Sequence, residues 1–280
     1  MKKKWLLVFI AVFMVLAYPG INAYADMGPK PSVTISFYGL EGKSYYVTLL
    51  SKTSSTGPWS VDGEPYGDVS EEIAQKFRQY QDPDGFYFLN YYKLCEENDI
   101  FEWTYHPPQE FKILLYFPDE DRFLASKSSY ERYAFDSYFK VEVSSGAIAI
   151  EEGQVVKNYD YLNEALEFLM RVAVTLAIEI GLALLLKYNK KEYLKVIGFT
   201  NLGTQTFLSA AVVLSTYFHG ALSSIFFLPA LEIIVFIAEA TVYSIFFKKI
   251  NPDKNSHPIA FSFLANLLSF IAGLFIYRLF

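Results

Sequence analysis

The chain of 280 residues has one cysteine, Cys95, and three histidines. A lone cysteine excludes an intramolecular disulfide and any multi-cysteine zinc or iron–sulfur site. Basic residues are scarce as well, since 24 Lys and Arg face 30 Asp and Glu, for a formal net charge of −6. A nucleic-acid-binding protein carries a basic patch or stripe, so this balance argues against a nucleic-acid partner. With no ligand pattern present, we expect neither a metal nor a cofactor.

Apolar residues are abundant and unevenly distributed. They make up 52% of the chain, and the mean hydropathy is +0.20. Residues 26–160 contain 23 acidic and 12 basic side chains, whereas residues 161–280 contain 7 acidic and 9 basic ones. The chain therefore divides into an acidic part and a nearly neutral, apolar part.

The N-terminus has the pattern of a targeting segment. Lys2, Lys3 and Lys4 precede an apolar stretch over residues 5–17, and Ala23-Tyr24-Ala25 follows it. Positive charge, an apolar core and a small-residue site predict a cleaved signal peptide over residues 1–25. The alternative is an uncleaved anchor, but the apolar stretch is short of the ~20 residues of a membrane span.

Four long apolar runs fill the C-terminal part, at about residues 166–186, 196–218, 222–247 and 258–277. Each is long enough to cross about 30 Å of hydrocarbon as a helix. We therefore predict a four-helix transmembrane domain over residues 161–280, with the lipid bilayer as its first partner.

The connectors between the runs predict the orientation. Loop 187–195 carries four lysines and loop 248–257 carries three, whereas His219-Gly220 carries none. The positive-inside rule makes both lysine loops cytoplasmic. Residues 26–160 are then extracytoplasmic, as a signal peptide also requires, and the protein is a multi-pass plasma-membrane protein.

Residues 26–160 suffice for one folded domain. Alternating apolar and polar residues predict strands, and a Ser-Glu-Glu start followed by a helical apolar face predicts one helix over residues 70–81. Together they indicate a β-rich, sandwich-like α+β domain. The predicted strands cover residues 33–37, 45–50, 86–89, 111–117, 122–125, 138–143 and 147–150.

Candidate chemistry in this domain is sparse. Trp59, Trp103 and Tyr105 could stack on cell-wall sugars, although packing explains most such aromatic residues. Cys95 with His106 could form a nucleophilic pair, but a buried spare thiol is the simpler interpretation. We therefore lean against an enzyme.

One acidic turn imitates the start of a calcium loop. Asp82-Pro83-Asp84-Gly85 has the opening residues, but Lys93 stands at the twelfth position, where a calcium loop needs a bidentate glutamate. A plain turn is therefore expected.

Polar residues within the apolar runs form the main candidate site. At about 1.5 Å per residue, most lie roughly 9–15 Å from the cytoplasmic ends of their helices. This intramembrane polar layer comprises Glu179, Asn201, Gln205, Glu232, Glu239, Tyr243 and Asn266.

Helical spacing places these residues on common faces. Asn201 and Gln205 are four apart, and Glu232 and Glu239 are seven apart. A charge at the bilayer centre is costly, so the side chains should meet inside the bundle, and we expect some of the glutamates to carry a proton. Near the outer end, Arg171 is expected to pair with Glu167.

Three interpretations of the layer remain open. It forms a structural hydrogen-bond layer, a proton- or cation-handling site, or, least favoured, part of an intramembrane enzyme.

Several segments together resemble an uncharacterised family of small membrane proteins from low-GC Gram-positive bacteria. That family shares the order of signal peptide, extracytoplasmic domain and four C-terminal transmembrane helices. The resemblance implies this architecture and a Gram-positive envelope, and it implies no activity. The segments are residues 26–33 (DMGPKPSV), Pro107-Pro108 with residues 111–118 (FKILLYFP), residues 133–139 (YAFDSYF), Thr200-Asn201 with Thr204-Gln205, and Glu232 with Glu239 and Tyr243.

Two functional hypotheses follow. The leading one is a non-enzymatic envelope module, an accessory or binding protein whose extracytoplasmic domain recognises another envelope or membrane protein or a cell-wall glycan. The alternative is a small ion- or proton-coupled transporter, or a transporter subunit, that uses the intramembrane carboxylates. Four spans are few for a transporter, so the alternative requires an oligomer.

Overall fold

A β-rich region precedes a set of long helices in the computed structural model, which describes residues 28–65, 70–95, 99–144, 146–252 and 256–276. The predicted signal peptide, residues 1–25, lies outside these described residues. Within them, the β-rich region extends to Lys157, and the first long helix begins at Tyr161.

Short strands build the β-rich region and form three sheets. The described residues contain β1 (Ser32–Tyr38), β2 (Tyr45–Ser51), β3 (Ser55–Thr56), β4 (Trp59–Ser60), β5 (Lys93–Cys95), β6 (Ile100–Trp103), β7 (Glu110–Phe117), β8 (Arg122–Ala125), β9 (Tyr130–Glu131), β10 (Asp136–Glu142) and β11 (Val155–Lys157). The first sheet has the order β11-β10-β1-β6 and the second the order β5-β2-β7-β8, with β9 also on β7. β3 and β4 form a separate hairpin.

Strand β1 joins the two ends of the β-rich region within the first sheet. It runs parallel to β10, with Val33 opposite Ser137, and antiparallel to β6, with Val33 also opposite Trp103. All pairs in the second sheet are antiparallel. The parallel pair brings together two segments that are about 100 residues apart in the chain.

The main hydrophobic core lies where the two sheets meet. Alternate residues of β1, such as Val33 and Ile35, are buried in the same cluster as Ile113 and Leu115 of β7. The period-2 alternation read from the sequence therefore corresponds to inward-facing side chains, as expected for strands with one buried face.

A helix covers the outer face of the second sheet. Helix α1 (Glu71–Gln79) buries Ile73 and Phe77 against Leu114 and Tyr116, which point away from the main core. The residues of β7 are therefore buried on both faces, which explains the continuous apolar run of that strand.

Some predicted boundaries in this region were wrong. Residues 86–89 and 147–150 are not strands, because they pair only at single bridges, Ser51 with Tyr87 and Ser126 with Ile150. Phe86 and Phe88 pack beneath α1 instead. The predicted helix over residues 70–81 ends earlier, at Gln79, and Ser70 occupies the N-cap without a capping hydrogen bond from its side chain.

The acidic turn after α1 holds a buried lysine. Lys112 of β7 contacts Asp82 at 3.1 Å and Asp84 at 2.5 Å, and the Asp82 carboxylate also accepts the backbone N–H groups of Asp84 and Phe86. The backbone of Asp82-Pro83-Asp84-Gly85 forms the turn expected from the sequence. The carboxylates of Asp82 and Asp84 serve as counter-ions for Lys112, a charged residue in an otherwise apolar strand.

Opposing effects set the ionisation of this lysine. Desolvation by burial acts to lower the pKa of Lys112, but hydrogen bonds to Asp84 and Asp82 outweigh it and raise the pKa above its usual value. The hydrogen bond from Lys112 lowers the pKa of Asp84. The stabilisation from Asp84 is lost as the pH falls through its lowered pKa, and that from Lys112 is lost as the pH rises through its raised pKa.

Four long helices follow the β-rich region in the described residues: α2 (Tyr161–Leu185), α3 (Lys191–His219), α4 (Ala221–Ile250) and α5 (Pro258–Ile276). By length and composition, α2, α3 and α4 can each cross a membrane, whereas the apolar part of α5 is shorter, at Pro258–Gly273. Helices α2 and α3 each begin five residues before the predicted apolar run. At the start of α2, Asp160 caps the helix by accepting the backbone N–H of Asn163.

A single residue connects α3 to α4. Gly220 has a φ of +84°, and a Cβ at this position would lie 2.6 Å from an atom of the Phe135 ring. The positive φ and the close approach both require glycine. This link also brings the end of the helix pair against the β-rich region.

We expect Asp82→Asn to weaken the β-rich region more than Asp84→Asn. The Asp82 side chain is 1% exposed and that of Asp84 is 60% exposed, so only the first change leaves Lys112 without its buried counter-ion. Loss of a buried partner costs about 3 kcal/mol. Hydrogen exchange of β7 amides in the full chain measures the difference, and equal protection in the two variants would contradict it.

Candidate functional site

The four long helices pack in a ring. Helix α3 packs against α2 and α4, and α5 packs against α4 and α2. The predicted polar layer lies inside this ring, where Glu179, Asn201 and Glu239 are fully buried. The apolar faces of the helices are exposed, with large side chains such as Phe199 and Phe226 pointing outward. This is the arrangement expected of helices that face lipid.

The first half of the polar layer is centred on Glu179 of α2. One carboxylate oxygen, Oε2, accepts hydrogen bonds from Asn201 Nδ2 at 2.5 Å and from the Tyr243 hydroxyl at 3.0 Å. Asn201 also donates to the Tyr243 oxygen at 3.0 Å and to the Ile197 carbonyl at 3.1 Å. This half therefore connects α2, α3 and α4.

The second half is centred on Glu239 of α4. Its Oε1 accepts a hydrogen bond from Thr204 Oγ1 of α3 at 2.7 Å, and its Oε2 accepts one from Asn266 Nδ2 of α5 at 2.5 Å. Asn266 also donates to the Ser262 carbonyl at 2.9 Å. Thr204 follows Asn201 by three residues on α3, so the two halves lie side by side along that helix and together form one network.

Two oxygens in the network have no hydrogen-bond partner among the described residues, Glu179 Oε1 and Asn201 Oδ1, and both are buried. Neither Glu179 nor Glu239 forms an ion pair with a described Lys or Arg. The donors around the two carboxyl groups are all neutral amides and hydroxyls. A buried carboxylate without a cationic partner is costly.

Two of the predicted residues stay outside the network. Gln205 is buried, but its side chain makes no hydrogen bond to a described residue. Glu232 is half-buried, lies two turns from Glu239 on α4 and likewise makes no hydrogen bond within the described part of the chain. The structure thus brings together Glu179, Asn201, Glu239, Tyr243 and Asn266.

Sequence reasoning missed Thr204 and Ser262 as members of the network. Thr204 lies three residues after Asn201, and Ser262 lies four before Asn266, so helical spacing puts each on a polar face already identified. The spacing was the available signal. Hydroxyl residues are common in membrane helices, however, and often bond only to their own backbone, as Thr206 does.

A cluster of aromatic rings closes the bundle on the side of the lysine loops. The Phe247 ring lies at its centre, with the centroids of Tyr188 and Tyr193 each 4.8 Å away and that of Phe261 at 5.7 Å. Tyr243 stacks on Phe247 at 5.2 Å and so joins this aromatic cluster to the polar network. All five rings are buried.

The aromatic residues considered for glycan stacking belong largely to the core. Trp103 is fully buried and Trp59 nearly so, and their rings pack edge to face at 5.9 Å. Both indole N–H groups donate to the Tyr105 carbonyl. For these two tryptophans the structure favours packing, the interpretation preferred from the sequence, over stacking on sugars, because their faces are inside the protein.

The cysteine of the β-rich region is not a nucleophile. Cys95 is buried, its thiol lies 3.6 Å from the Ile100 carbonyl, and desolvation raises its pKa to about 12. A thiolate is the nucleophilic form, and at neutral pH this thiol remains protonated. The hypothesis that Cys95 and His106 form a nucleophilic pair is therefore not supported, because the Cys95 thiol stays protonated.

The β-rich region contacts the helices at the end where α3 meets α4. The backbone N–H of Phe135 donates to the Tyr217 carbonyl at 2.8 Å, and the Tyr159 and Tyr217 rings lie 5.5 Å apart.

The predicted pairing of Arg171 with Glu167 is confirmed, with Nη2 3.2 Å from Oε2.

Comparison with known proteins adds little to this geometry. The chain matches no protein-family model and, at a significant level, no curated protein. Among solved structures it is similar to a Bacteroides ovatus protein described as a candidate cell-adhesion protein, at 12% identity and a TM-score of 0.23. The match covers 47% of this chain and 44% of that one, so this chain spans less than half of its length. A likeness this weak carries no argument about function.

We expect Asn201→Leu to destabilise the bundle and Gln205→Leu to leave it nearly unchanged. The two carboxamides are one turn apart on α3, but only Asn201 donates to a buried carboxylate. Loss of such a hydrogen bond costs about 1–3 kcal/mol. Unfolding of the purified protein in mixed micelles, followed by circular dichroism, measures the difference. An equal loss of stability in both variants would show that the network does not hold the helices.

Proposed function

We propose that the chain is a multi-pass plasma-membrane protein of a Gram-positive bacterial envelope. In this proposal a signal peptide delivers a sandwich-like domain, residues 26–160, to the outer side, and a four-helix bundle holds it in the membrane. The three long apolar helices and the outward-facing large apolar side chains support the membrane part. The lysine-rich ends at loops 187–195 and 248–257 support a cytoplasmic position for those loops.

We further propose that the bundle binds a proton at the carboxyl groups of Glu179 and Glu239, as a small proton-coupled transporter or a subunit of one. The observation that carries this proposal is the pair of fully buried carboxyl groups without a cationic partner among the described residues. A bound proton removes the cost of a buried charge, and loss of that proton creates it. Such a pair can therefore couple proton movement to helix packing.

The free oxygens favour a proton over a metal ion. Hard cations take six or more oxygen ligands. The network offers two buried oxygens without a partner, Glu179 Oε1 and Asn201 Oδ1, while the other carboxylate oxygens already accept hydrogen bonds. A proton on Glu179 needs only one hydrogen-bond acceptor, far fewer than the ligands of a hard cation.

Infrared spectroscopy of the reconstituted protein tests the occupant directly. We expect a protonated-carboxyl band that loses intensity in Glu179→Gln and in Glu239→Gln, and proton flux in these variants at the level of empty vesicles. Sodium in place of a pH gradient should drive no flux.

Glu192→Gln is the matched control, because Glu192 is an exposed glutamate in the first turn of α3. Its band and flux should equal those of the unmodified protein. Equal flux in the unmodified protein and in the double variant Glu179→Gln/Glu239→Gln would remove the proton-coupled function.

A second function, recognition of an envelope partner, is favoured by one open sheet face. The outer face of the second sheet is covered by α1, whereas the outer face of the first sheet carries exposed large side chains. We call these residues the open face: Tyr38, Ile100, Tyr138, Lys140 and Val156. Exposed aromatic and aliphatic groups around the Lys140–Glu142 ion pair suit another envelope or membrane protein, or a cell-wall glycan.

We expect Tyr38→Ser/Tyr138→Ser to abolish most partner capture by the full chain, and Tyr87→Ser to leave it intact. Tyr38 and Tyr87 are equally exposed, at 46%, but Tyr87 lies outside the open face. Loss of aromatic hot-spot residues costs about 2 kcal/mol or more, so binding should fall at least about tenfold. Glycan arrays and pull-downs from solubilised membranes measure it, and no capture by the unmodified protein would end this proposal.

A further inference from the structure

A cavity of about 170 Å³ opens into the bundle at the end nearest the β-rich region. It lies between α2, α3 and α4, and much of its lining is polar. The polar lining residues are Glu164, Glu167, Arg171, Ser209, Thr216 and Ser224. The Arg171–Glu167 ion pair therefore lies in the wall of this cavity.

From this cavity, polar residues continue toward the network along two helices. On α2, Arg171, Thr175 and Glu179 follow one another at intervals of four, and both Thr175 and Glu179 are buried. Residues four apart lie on one face of a helix, so these side chains form a single stripe about 12 Å long. The stripe starts in the cavity wall and ends at the carboxyl group of the site.

Helix α3 carries the matching stripe. Ser209, Gln205 and Asn201 also follow one another at intervals of four, and all three are buried. Because α2 packs against α3, the two stripes line the same interior seam. We call the set Thr175, Ser209 and Gln205 the polar track.

The polar track has spare hydrogen-bonding capacity. Ser209 Oγ is buried without a partner among the described residues, and the Gln205 side chain makes no hydrogen bond there. At the end of the track, Glu179 Oε1 and Asn201 Oδ1 are also free. Buried polar groups are normally satisfied by protein or by water, so this row of free groups suits a chain of bound water molecules.

The opposite side of the network is closed. Tyr243 stacks on Phe247, and Tyr188, Tyr193 and Phe261 surround that ring, so apolar surface separates Glu179 from the lysine loops. Close aromatic packing of this kind leaves little space for water, and the tyrosine hydroxyls at its edge already bond to protein groups. The site therefore has polar surroundings on one side and an aromatic cluster on the other.

We propose that the proton reaches Glu179 from the extracytoplasmic side, through this cavity and along the polar track, while the aromatic cluster blocks the cytoplasmic side. The inference rests on the proposed proton-binding function and adds the direction of access. The titratable groups facing Glu179 are Tyr243 and Glu239 of α4, and half-buried Glu232 lies two turns from Glu239 on the same helix. Glu164, Glu167 and Arg171 stand at the entrance.

Cysteine labelling of the full chain in intact cells and in inverted vesicles tests the direction. In a Cys95→Ala background, Ser209→Cys should react with the membrane-impermeant cation MTSET from outside about tenfold or more faster than Ala183→Cys, because only the first lines the cavity. Ala183, in the closed aromatic end, should react from neither side. Thr216→Cys, at the cavity mouth, serves as a second probe should Ser209→Cys misfold.

Reaction of Ser209→Cys or Thr216→Cys from outside, with an unreactive Ala183→Cys, supports the route. Reaction only from the cytoplasmic side, or reaction of Ala183→Cys in inverted vesicles, overturns it. Labelling does not depend on what occupies the carboxyl groups, so the pattern should persist in Glu179→Gln. If the labelling pattern is wrong but the protonated-carboxyl band is present, the access route is refuted and the proton site is not. If the band is absent, the proton site itself is refuted.

Discussion

The packing of the long helices depends on hydrogen bonds that neutral amides and hydroxyls donate to two buried carboxyl groups. In a bilayer, apolar burial would do little to hold these helices together, because lipid tails are as apolar as the leucine and phenylalanine side chains on their outer faces. Glu179 and Glu239 instead require donors from neighbouring helices, and Asn201, Thr204 and Asn266 supply them. The rotation of each helix follows from this requirement, because its carboxyl group or its hydrogen-bond donor must point inward.

The β-rich region also gives a buried charged group a specific partner, but there the partner is ionic. Two sheets bury a continuous apolar core, and the buried charge of Lys112 is paired with carboxylates of a turn. In both parts of the chain an isolated charge in an apolar environment is matched by a specific partner. In the sheet the partner is ionic, whereas in the bundle it is a set of neutral donors, and this difference leaves room for a proton.

Sequence patterns predicted the long helices and the main strands well, because both depend on local periodicity. Strand β8 lies at residues 122–125 as predicted, and β1 exceeds its prediction by one residue at each end. The strand predicted at residues 86–89 was wrong, because the aromatic residues that pack under α1 have a composition typical of strands. Asn201 and Gln205 could not be told apart, since both face inward and only the approach of α2 and α4 decides which one meets a carboxylate. Membership of Thr204 depended on the same non-local packing.

The link at Gly220 has a mechanical consequence. A connection of one residue has no slack, so α3 and α4 cannot slide or swivel independently at that end. The Phe135 ring packs against Gly220, and the backbone N–H of Phe135 donates to the Tyr217 carbonyl. The helical hairpin and the loop before β10 are therefore held together and should move as one unit. A load applied to the sheets is thus delivered to the two helices that carry Asn201 and Glu239.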